Sequence, residues 1–218
     1  MEKKESMIPC IAPDSNGIPV LYVNGEPFIV LGGELHNSSS SNLAYMENKV
    51  WPFIRQFSMN TVILPVAWES IEPEEGKFDF SLPEGILRQA RREKVKLVFL
   101  WFGLWKNGES FYVPSWVKED GKRFFRACYG DKSPSNTVSP FCREAIEADK
   151  KAFCRFMEFL RDNDREEQIV IMVQVENEMG LLGDCRDFSP AAEKAYAEAV
   201  PTDAADFCGG TGTWDEAF

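Results

Sequence analysis

The sequence predicts an α/β fold of the (β/α)8 barrel type, with about the first four βα units present and a short β-hairpin before them. Three observations carry this prediction. Four apolar segments of strand length alternate with helical patterns or long loops. These segments are nearly continuously apolar, as expected of parallel strands that are buried on both faces. Polar and aromatic residues cluster just after each segment, where a (β/α)8 barrel carries its functional site.

The N-terminal hairpin is predicted from two apolar segments, residues 18–23 and 28–33, which flank Asn24-Gly25-Glu26-Pro27. Asn-Gly between two apolar segments is a strong hairpin signal. The second arm of this hairpin is also the first predicted core strand. The core strands predicted in this way are residues 28–33, 61–66, 95–102 and 168–175.

The helices are predicted from apolar residues that recur at helical spacing. The first covers residues 43–57, and the second opens at Ser81 and Glu84, which form a capping-box pattern. The third begins at Ser139-Pro140, read as N-cap and first helical position, and ends near residues 161–164. A long irregular stretch, residues 103–139, precedes it, and a short helix is expected around residues 191–199.

Parallel strands with helical crossovers form either an open doubly wound sheet or a barrel. No glycine-rich phosphate loop follows the first strand, because GGELHN lacks the spacing of a dinucleotide fingerprint. A full barrel takes about 250 residues and eight strands. We therefore expect residues 1–218 to form a single partial (β/α) barrel domain that lacks the C-terminal strands.

The charge balance excludes some classes of partner. Lys and Arg number 24 against 35 Asp and Glu, which gives a formal charge of −11. Nucleic acids and anionic membranes need a basic surface, so neither is expected as a partner, whereas a neutral sugar is compatible. The N-terminus has no apolar run of signal-peptide length, and the longest apolar stretch, residues 97–105, is too short to span a bilayer. These features predict a cytoplasmic protein.

The cysteines and the single histidine do not indicate a metal site. The six cysteines form no CxxC pair, and Cys142 and Cys154 fall at apolar positions of a predicted helix, so we expect buried thiols rather than disulfides or zinc ligands. With His36 as the only histidine, no ligand spacing suggests a metal. No metal or organic cofactor is predicted.

The most informative segment is IVIMVQVENEMG, residues 169–180. Carboxylates at the end of an apolar strand are costly to desolvate unless they are paired or hydrated. With a period of two, Gln174, Glu176 and Glu178 share one face, which points into the barrel. We expect Glu176 to be a buried, hydrogen-bonded residue. Glu178 lies at the mouth, where partial burial and a nearby carboxylate favour the protonated form that a general acid needs.

The QVENE segment resembles the signature of glycoside hydrolase family 35, whose pattern contains Gln-x-Glu-Asn-Glu. The resemblance implies that Glu178 is the acid/base carboxylate and that Asn177 contacts the sugar. The sequence departs from the signature at two places. Residues 166–168 are Glu-Glu-Gln where the family has Gly-Gly-Pro, and Met179 replaces an aromatic residue.

Two further segments carry the resemblance, which covers roughly residues 21–180. VAWESIEPEEGKFDF, residues 66–80, is similar to a run shared by families 35 and 42 of the same clan A. There Trp68 is placed to stack on a sugar face or belongs to the core, and Glu69 accepts a sugar hydroxyl or anchors the loop. GGELHNSSSS, residues 32–41, looks like the end of the first strand in galactosidase relatives. It contributes Glu34 and His36, each either a substrate ligand or a structural residue.

The resemblance implies a retaining glycoside hydrolase that acts on terminal β-D-galactosides or related glycosides. Retaining enzymes use two carboxyl groups about 5–5.5 Å apart. In the family the nucleophile is a Glu at the end of the seventh strand, and no residue of this chain matches it. The alternative is a non-catalytic half-barrel, a carbohydrate-binding or assembly module. Because a half-barrel exposes unpaired sheet edges, we expect a homo-oligomer or a complementing C-terminal half as partner.

Overall fold

A four-stranded parallel sheet forms the centre of the computed structural model, which describes residues 8–209 and 212–217. The strands lie in the order β4 (Gly32–Glu34), β5 (Thr61–Ala67), β6 (Lys96–Phe102) and β9 (Val170–Val175). The helices are α1 Leu43–Tyr45, α2 Trp51–Gln56, α3 Trp68–Ile71, α4 Ser81–Glu93, α5 Ser115–Glu119, α6 Arg143–Asp164, α7 Pro190–Tyr196, α8 Thr202–Cys208 and α9 Trp214–Ala217. This parallel α/β sheet confirms the predicted class, and within the described residues it does not close into a barrel.

One face of the sheet packs against the helices. The alternate residues Val62, Leu64 and Val66 of β5 are buried there, as are the alternate residues of β6 that face the same way. Phe156 of α6 contacts this layer, with its ring centroid 5.4 Å from that of Phe99 and 5.6 Å from that of Trp101. Burial of these large side chains by the hydrophobic effect holds the helices to the sheet.

The opposite face is covered at the amino ends of the strands by a small antiparallel sheet, β1 (Cys10–Pro13), β2 (Pro19–Val23) and β3 (Glu26–Pro27). Val23 of β2 packs with Val98 and Ile171 of the central sheet. The small sheet therefore closes only one end of this face, which leaves the carboxyl ends of the strands open for the loops that carry the site.

The predicted hairpin is confirmed at its turn and wrong in its second arm. Asn24 and Gly25 have φ values of 55° and 78°, the left-handed pair that a tight hairpin turn requires. However, β3 spans only two residues, and β1, which the sequence analysis missed, pairs with the other side of β2. Residues 28–31 do not form a strand because the Asn60 side chain binds their backbone, accepting from Leu31 N and donating to Ile29 O.

Two helix starts differ from the prediction. Ser81 and Glu84 do not form a capping box, since Asp79 Oδ1 accepts the Ser81 backbone N–H at 2.8 Å instead. The third helix, α6, begins at Arg143 rather than at Ser139-Pro140. The Ser139 hydroxyl donates to Asp187 Oδ2 at 2.6 Å and accepts the Phe141 backbone N–H at 3.1 Å, so it stabilises a turn that precedes the helix.

The stretch predicted as irregular, residues 103–139, holds helix α5 and an antiparallel pair, β7 (Arg126–Cys128) and β8 (Pro134–Val138). The first predicted helix is interrupted by a π-helical turn, Met46–Val50, in which Trp51 N donates to Met46 O. This turn lies directly before Pro52, whose missing N–H and ring would disturb a regular α-helix at that position.

The edge strands of the central sheet each pair on one side only among the residues that the structure describes. On β9, Met172 and Val175 are 46% and 60% exposed, which is high for apolar strand residues. Cys142 is buried as predicted, whereas Cys154 is exposed, contrary to the prediction.

None of the helices in the described part of the chain combines the length and the apolar composition that crossing a bilayer requires. Residues 1–7, on which the expected absence of a signal peptide partly rests, lie outside the described residues. The cytoplasmic location stays a prediction.

Candidate active site at the carboxyl ends of the strands

Residues named as site candidates follow the carboxyl ends of three of the four parallel strands. Glu34 ends β4, Glu69 lies in the first turn of α3 after β5, and Asn177 and Glu178 follow β9. Because parallel strands end at one edge of a sheet, these residues lie along the same edge. The loop after β6 completes the row and contributes Lys106.

The QVENE segment does not continue as a strand. Strand β9 ends at Val175, and Glu176 and Glu178 have φ values of 63° and 51° in the left-handed region. The period of two is therefore lost after the strand. Glu176 is buried, while Gln174 and Glu178 are exposed, so the prediction that these three residues share one face is wrong.

Glu176 forms a buried carboxyl pair with Asp149 of α6. Its Oε1 and Oε2 accept the backbone N–H groups of Leu104 and Trp105 at 3.3 and 3.0 Å. Burial, the hydrogen bond to Asp149 and the charge of Asp149 together raise the pKa of Glu176 to about 9, against the lowering effect of the two backbone N–H groups. Burial also raises the pKa of Asp149. The pair therefore keeps a proton at neutral pH, as two carboxyl groups in contact require.

The backbone at Gly103 lies close to both carboxyl groups of this pair. A β-carbon there would lie 2.5 Å from Asp149 Oδ1, from Glu176 Oε1 and from Trp101 Nε1. Trp101 Nε1 also donates to Asp149 Oδ1 at 2.9 Å. A side chain at position 103 would displace these groups, so the close approach requires glycine.

Asn177 and Glu178 share one partner, Lys106. The Lys106 Nζ donates to Asn177 Oδ1 at 2.6 Å and to Glu178 Oε2 at 3.1 Å. The Glu178 side chain is 61% exposed, whereas that of Lys106 is only 11% exposed. The expected partial burial of Glu178 beside another carboxylate is therefore not found, because its neighbour is a lysine and its carboxylate faces solvent.

Trp68 does not have the position that was predicted for sugar stacking. Its side chain is fully buried, its Nε1 donates to Glu72 Oε2 at 2.9 Å, and its ring meets that of Trp116 edge-on at 5.5 Å. The indole therefore belongs to the core under α3, which is the second reading that the sequence left open. The reason is that α3 begins at Trp68 and turns the ring inward at the strand end.

The remaining site candidates, Glu69, Glu34 and His36, lie at the same carboxyl edge of the sheet. The Glu69 carboxylate accepts from Lys118 Nζ at 2.9 Å, and Glu34 is exposed.

His36 lines a wide depression of about 920 Å³ with Asn37, Tyr45, Lys49 and Tyr112. The Tyr112 ring packs on Phe102 at 5.1 Å, and Lys106 Nζ lies over that same Phe102 ring. Aromatic contacts therefore connect the depression to Lys106.

Two residues of this arrangement were not predicted. Lys106 is a polar residue just after a buried strand, a position that the sequence analysis described only in general terms. Asp149 occupies the apolar face of α6 between Ala145 and Ala152, so a charged residue at core spacing was the available signal. Within residues 8–209 and 212–217, no group of three or more His, Cys, Asp or Glu side chains has the arrangement to hold a metal ion.

The chain matches one family model and resembles a curated protein. The family model for glycosyl hydrolases, family 35, matches residues 20–215. A curated relative, beta-galactosidase-1-like protein 3 of Homo sapiens, is 28% identical over 190 residues, which cover 82% of this chain and 26% of that protein. The chain thus spans about a quarter of the length of this relative.

The parallel α/β sheet fits a clan A glycoside hydrolase, and the family model supplies the identification. The chain belongs to glycosyl hydrolase family 35, since the family model covers most of its length.

Proposed function

We propose that this chain supplies the acid/base half of a retaining glycoside hydrolase that acts on terminal β-D-galactosides. The observation that carries the proposal is the pair Asn177 and Glu178, held together by Lys106 at the carboxyl edge of the sheet. The family match and the β-galactosidase-like relative support it. In this proposal the four parallel strands are the first four units of a (β/α)8 barrel, and residues 1–218 belong to a single domain.

Glu178 acts first as the acid and then as the base. In its protonated form it donates the proton to the glycosidic oxygen as the bond to the leaving group breaks. The resulting carboxylate then accepts a proton from the water that attacks the glycosyl-enzyme. An exposed carboxylate suits this role, because both the sugar and the water must reach it. Asn177 directs its amide N–H groups to a sugar hydroxyl, since its Oδ1 accepts from Lys106.

The nucleophile is a second carboxylate that no residue of this chain is assigned to provide. It must lie about 5–5.5 Å from Glu178 in a retaining enzyme. Among the described residues β4 and β9 each pair on one side only, and these edges, with the exposed apolar residues Met172 and Val175, support assembly with a complementing C-terminal half or with a second copy. Of these two partners, the complementing C-terminal half would bring the second carboxylate to the site, since a second copy has the same residues as the first.

A second candidate function is a non-catalytic carbohydrate-binding or assembly module. It is favoured by the pairing of Glu178 with Lys106, because the nearest charged group is a cation rather than a second carboxylate. In this case Asn177 and the depression at His36 and Tyr112 would bind sugar hydroxyl groups without cleavage.

The test is hydrolysis of nitrophenyl glycosides by the purified chain, with β-galactoside, α-galactoside and β-glucoside compared. We expect cleavage of the β-galactoside once a complementing C-terminal half that brings the second carboxylate is added, and loss of about 10²-fold or more in kcat in Glu178→Gln of that assembly, as for removal of a general acid. Glu119→Gln, the same change at an exposed position on α5, should keep full activity. A folded chain that binds galactose and does not hydrolyse the β-galactoside even with the complementing half present would establish the second candidate.

A further inference from the structure

Consecutive residues of the loop after β9 accept hydrogen bonds from consecutive residues of the loop after β6. Glu176 accepts from the backbone of Leu104 and Trp105, and the next two residues, Asn177 and Glu178, accept from the side chain of Lys106. The Glu178 carbonyl then accepts Gly108 N–H at 2.8 Å. Three consecutive residues of one loop thus fix the position of the other loop.

The surroundings of Lys106 restrict where its ammonium group can lie. Its Nζ is 5.1 Å from the centroid of the Phe102 ring, and Phe102 itself is 1% exposed. The cation is therefore held over an aromatic face as well as by its two oxygen partners. An extended lysine on the surface loses much rotamer entropy when it forms a single ion pair, whereas this one is already confined by packing.

The buried pair Glu176 and Asp149 fixes the backbone from which the Lys106 side chain extends. Glu176 holds the backbone N–H of Trp105, the residue directly before Lys106. Asp149 anchors Trp101 on the strand that leads into the loop. The lysine therefore projects from a backbone segment that is fixed by buried hydrogen bonds on both sides of Gly103.

We propose that Lys106 is a positioning residue of the Glu178 site, which orients the Asn177 amide and the Glu178 carboxylate together. The inference rests on the proposed function, in which these two residues bind the sugar and transfer the proton. With its oxygen held by Lys106, the Asn177 side chain presents its two N–H donors in one direction. A site whose groups are fixed before the ligand binds loses less conformational entropy on reaching the transition state.

The first measurement is NMR of the Asn177 side-chain amide in ¹⁵N-labelled protein, assigned by its loss in Asn177→Asp. In Lys106→Met we expect its order parameter to fall below about 0.6, the range of a flexible group. Lys106→Arg should keep the amide ordered, because it retains the charge and the donors. An Asn177 amide that stays equally ordered in Lys106→Met would overturn the inference, and the result is obtained whether or not the chain hydrolyses a glycoside.

The matched control is Lys132→Met. Lys132 makes the same kinds of contact at a more exposed position, since its Nζ lies 5.3 Å from the Phe188 ring centroid and pairs with Glu193 Oε1 at 2.9 Å, and its side chain is 60% exposed. Its replacement removes one lysine, one ring contact and one ion pair, as in Lys106→Met. We expect no change in the Asn177 amide in this variant. An equal loss of order in both variants would also overturn the inference.

The second measurement is the hydrolysis of nitrophenyl β-galactoside. Lys106→Met should lower kcat by about 10- to 100-fold with little change in KM, because misplacement of catalytic groups acts on the transition state. Lys106→Arg should recover most of this loss. A kcat unchanged in Lys106→Met, with Glu178→Gln inactive, would refute the positioning role while the proposed function stands. Activity that survives in Glu178→Gln would refute the proposed function instead, and the amide result would still decide the orienting contact.

Discussion

Glu176 and Glu178 lie two residues apart in the chain and have opposite environments. Glu176 is buried, pairs with Asp149 and holds a proton at neutral pH, whereas the Glu178 side chain is 61% exposed and pairs with Lys106. Both have left-handed backbone angles just after the same strand. The comparison shows that the backbone turn after β9, rather than strand alternation, decides which carboxylate supports the loop and which faces the solvent.

The difference also separates two physical roles. A buried carboxyl group that is hydrogen-bonded to backbone amides stabilises a loop, and its removal leaves donors without partners. An exposed carboxylate in an ion pair contributes little to stability and is free to serve chemistry. Stability and activity measurements should therefore respond to different members of the pair.

The largest expected effect on stability is that of Glu176→Ala. The change leaves the N–H groups of Leu104 and Trp105 without their acceptor, at a cost of about 1–3 kcal/mol each. Glu178→Ala should change the free energy of unfolding by only about 0.5 kcal/mol, as expected of an exposed ion pair. Urea denaturation of both variants measures the difference. Equal effects would show that the distinction between the two carboxylates is wrong.

The next effect is that of a side chain at Gly103. Gly103→Ala places a β-carbon within 2.5 Å of three polar atoms of the buried pair, and such overpacking costs about 1–3 kcal/mol. The control is Gly121→Ala, since a β-carbon at Gly121 meets nothing within 4 Å. We expect the free energy of unfolding of the control to lie within about 0.5 kcal/mol of that of the wild type. A Gly103→Ala protein as stable as this control would mean that the pair is loosely packed.

A smaller effect is the pH dependence that Glu176 brings to folding. Its pKa is about 9 in the folded protein against an ordinary value of 4.5, so between these pH values the unfolded chain loses a proton that the folded protein keeps. The free energy of unfolding then falls as pH rises, by at most about 1.4 kcal/mol per pH unit from this group. The stabilising contribution of Glu176 is fully present below pH 4.5 and is lost as the pH rises through the folded pKa of about 9.

The variant that tests this dependence is Glu176→Gln, which cannot ionise and can still donate to Asp149. Denaturation between pH 5 and about 9 should give a flatter slope than in the wild type. Glu119→Gln, at an exposed position, should keep the wild-type slope. A Glu176→Gln protein with an unchanged slope would contradict the buried, protonated state of Glu176.

Much of the fold followed from the sequence because the signals were local. Continuous apolar segments predicted β5, β6 and β9 to within a few residues, and Asn24-Gly25 predicted the turn of the hairpin. The first core strand was misjudged because its apolar appearance did not reveal that the Asn60 side chain binds its backbone, a contact over 29 residues of chain. Tertiary hydrogen bonds of this kind leave no periodic signal.

The site was predictable only in part, for a similar reason. The QVENE motif indicated Asn177 and Glu178 as candidates, which stay predictions. Extrapolating the strand period past Val175 wrongly placed Gln174, Glu176 and Glu178 on one face. The resemblance of residues 66–80 made Trp68 either a sugar-stacking residue or a core residue, and the short helix that begins there turns it into the core. Lys106 lies 71 residues from Asn177, so no local pattern connects the two.

The measurement that tests the central claim most directly compares two β-galactosides in the wild type and in Glu178→Ala. An alkyl galactoside has a poor leaving group that needs protonation, whereas a dinitrophenyl galactoside does not. We predict that Glu178→Ala loses about 10²- to 10⁴-fold in kcat/KM with the alkyl galactoside and far less with the dinitrophenyl galactoside. An equal loss with both substrates, or no loss with either, would contradict the assignment of Glu178 as the acid/base.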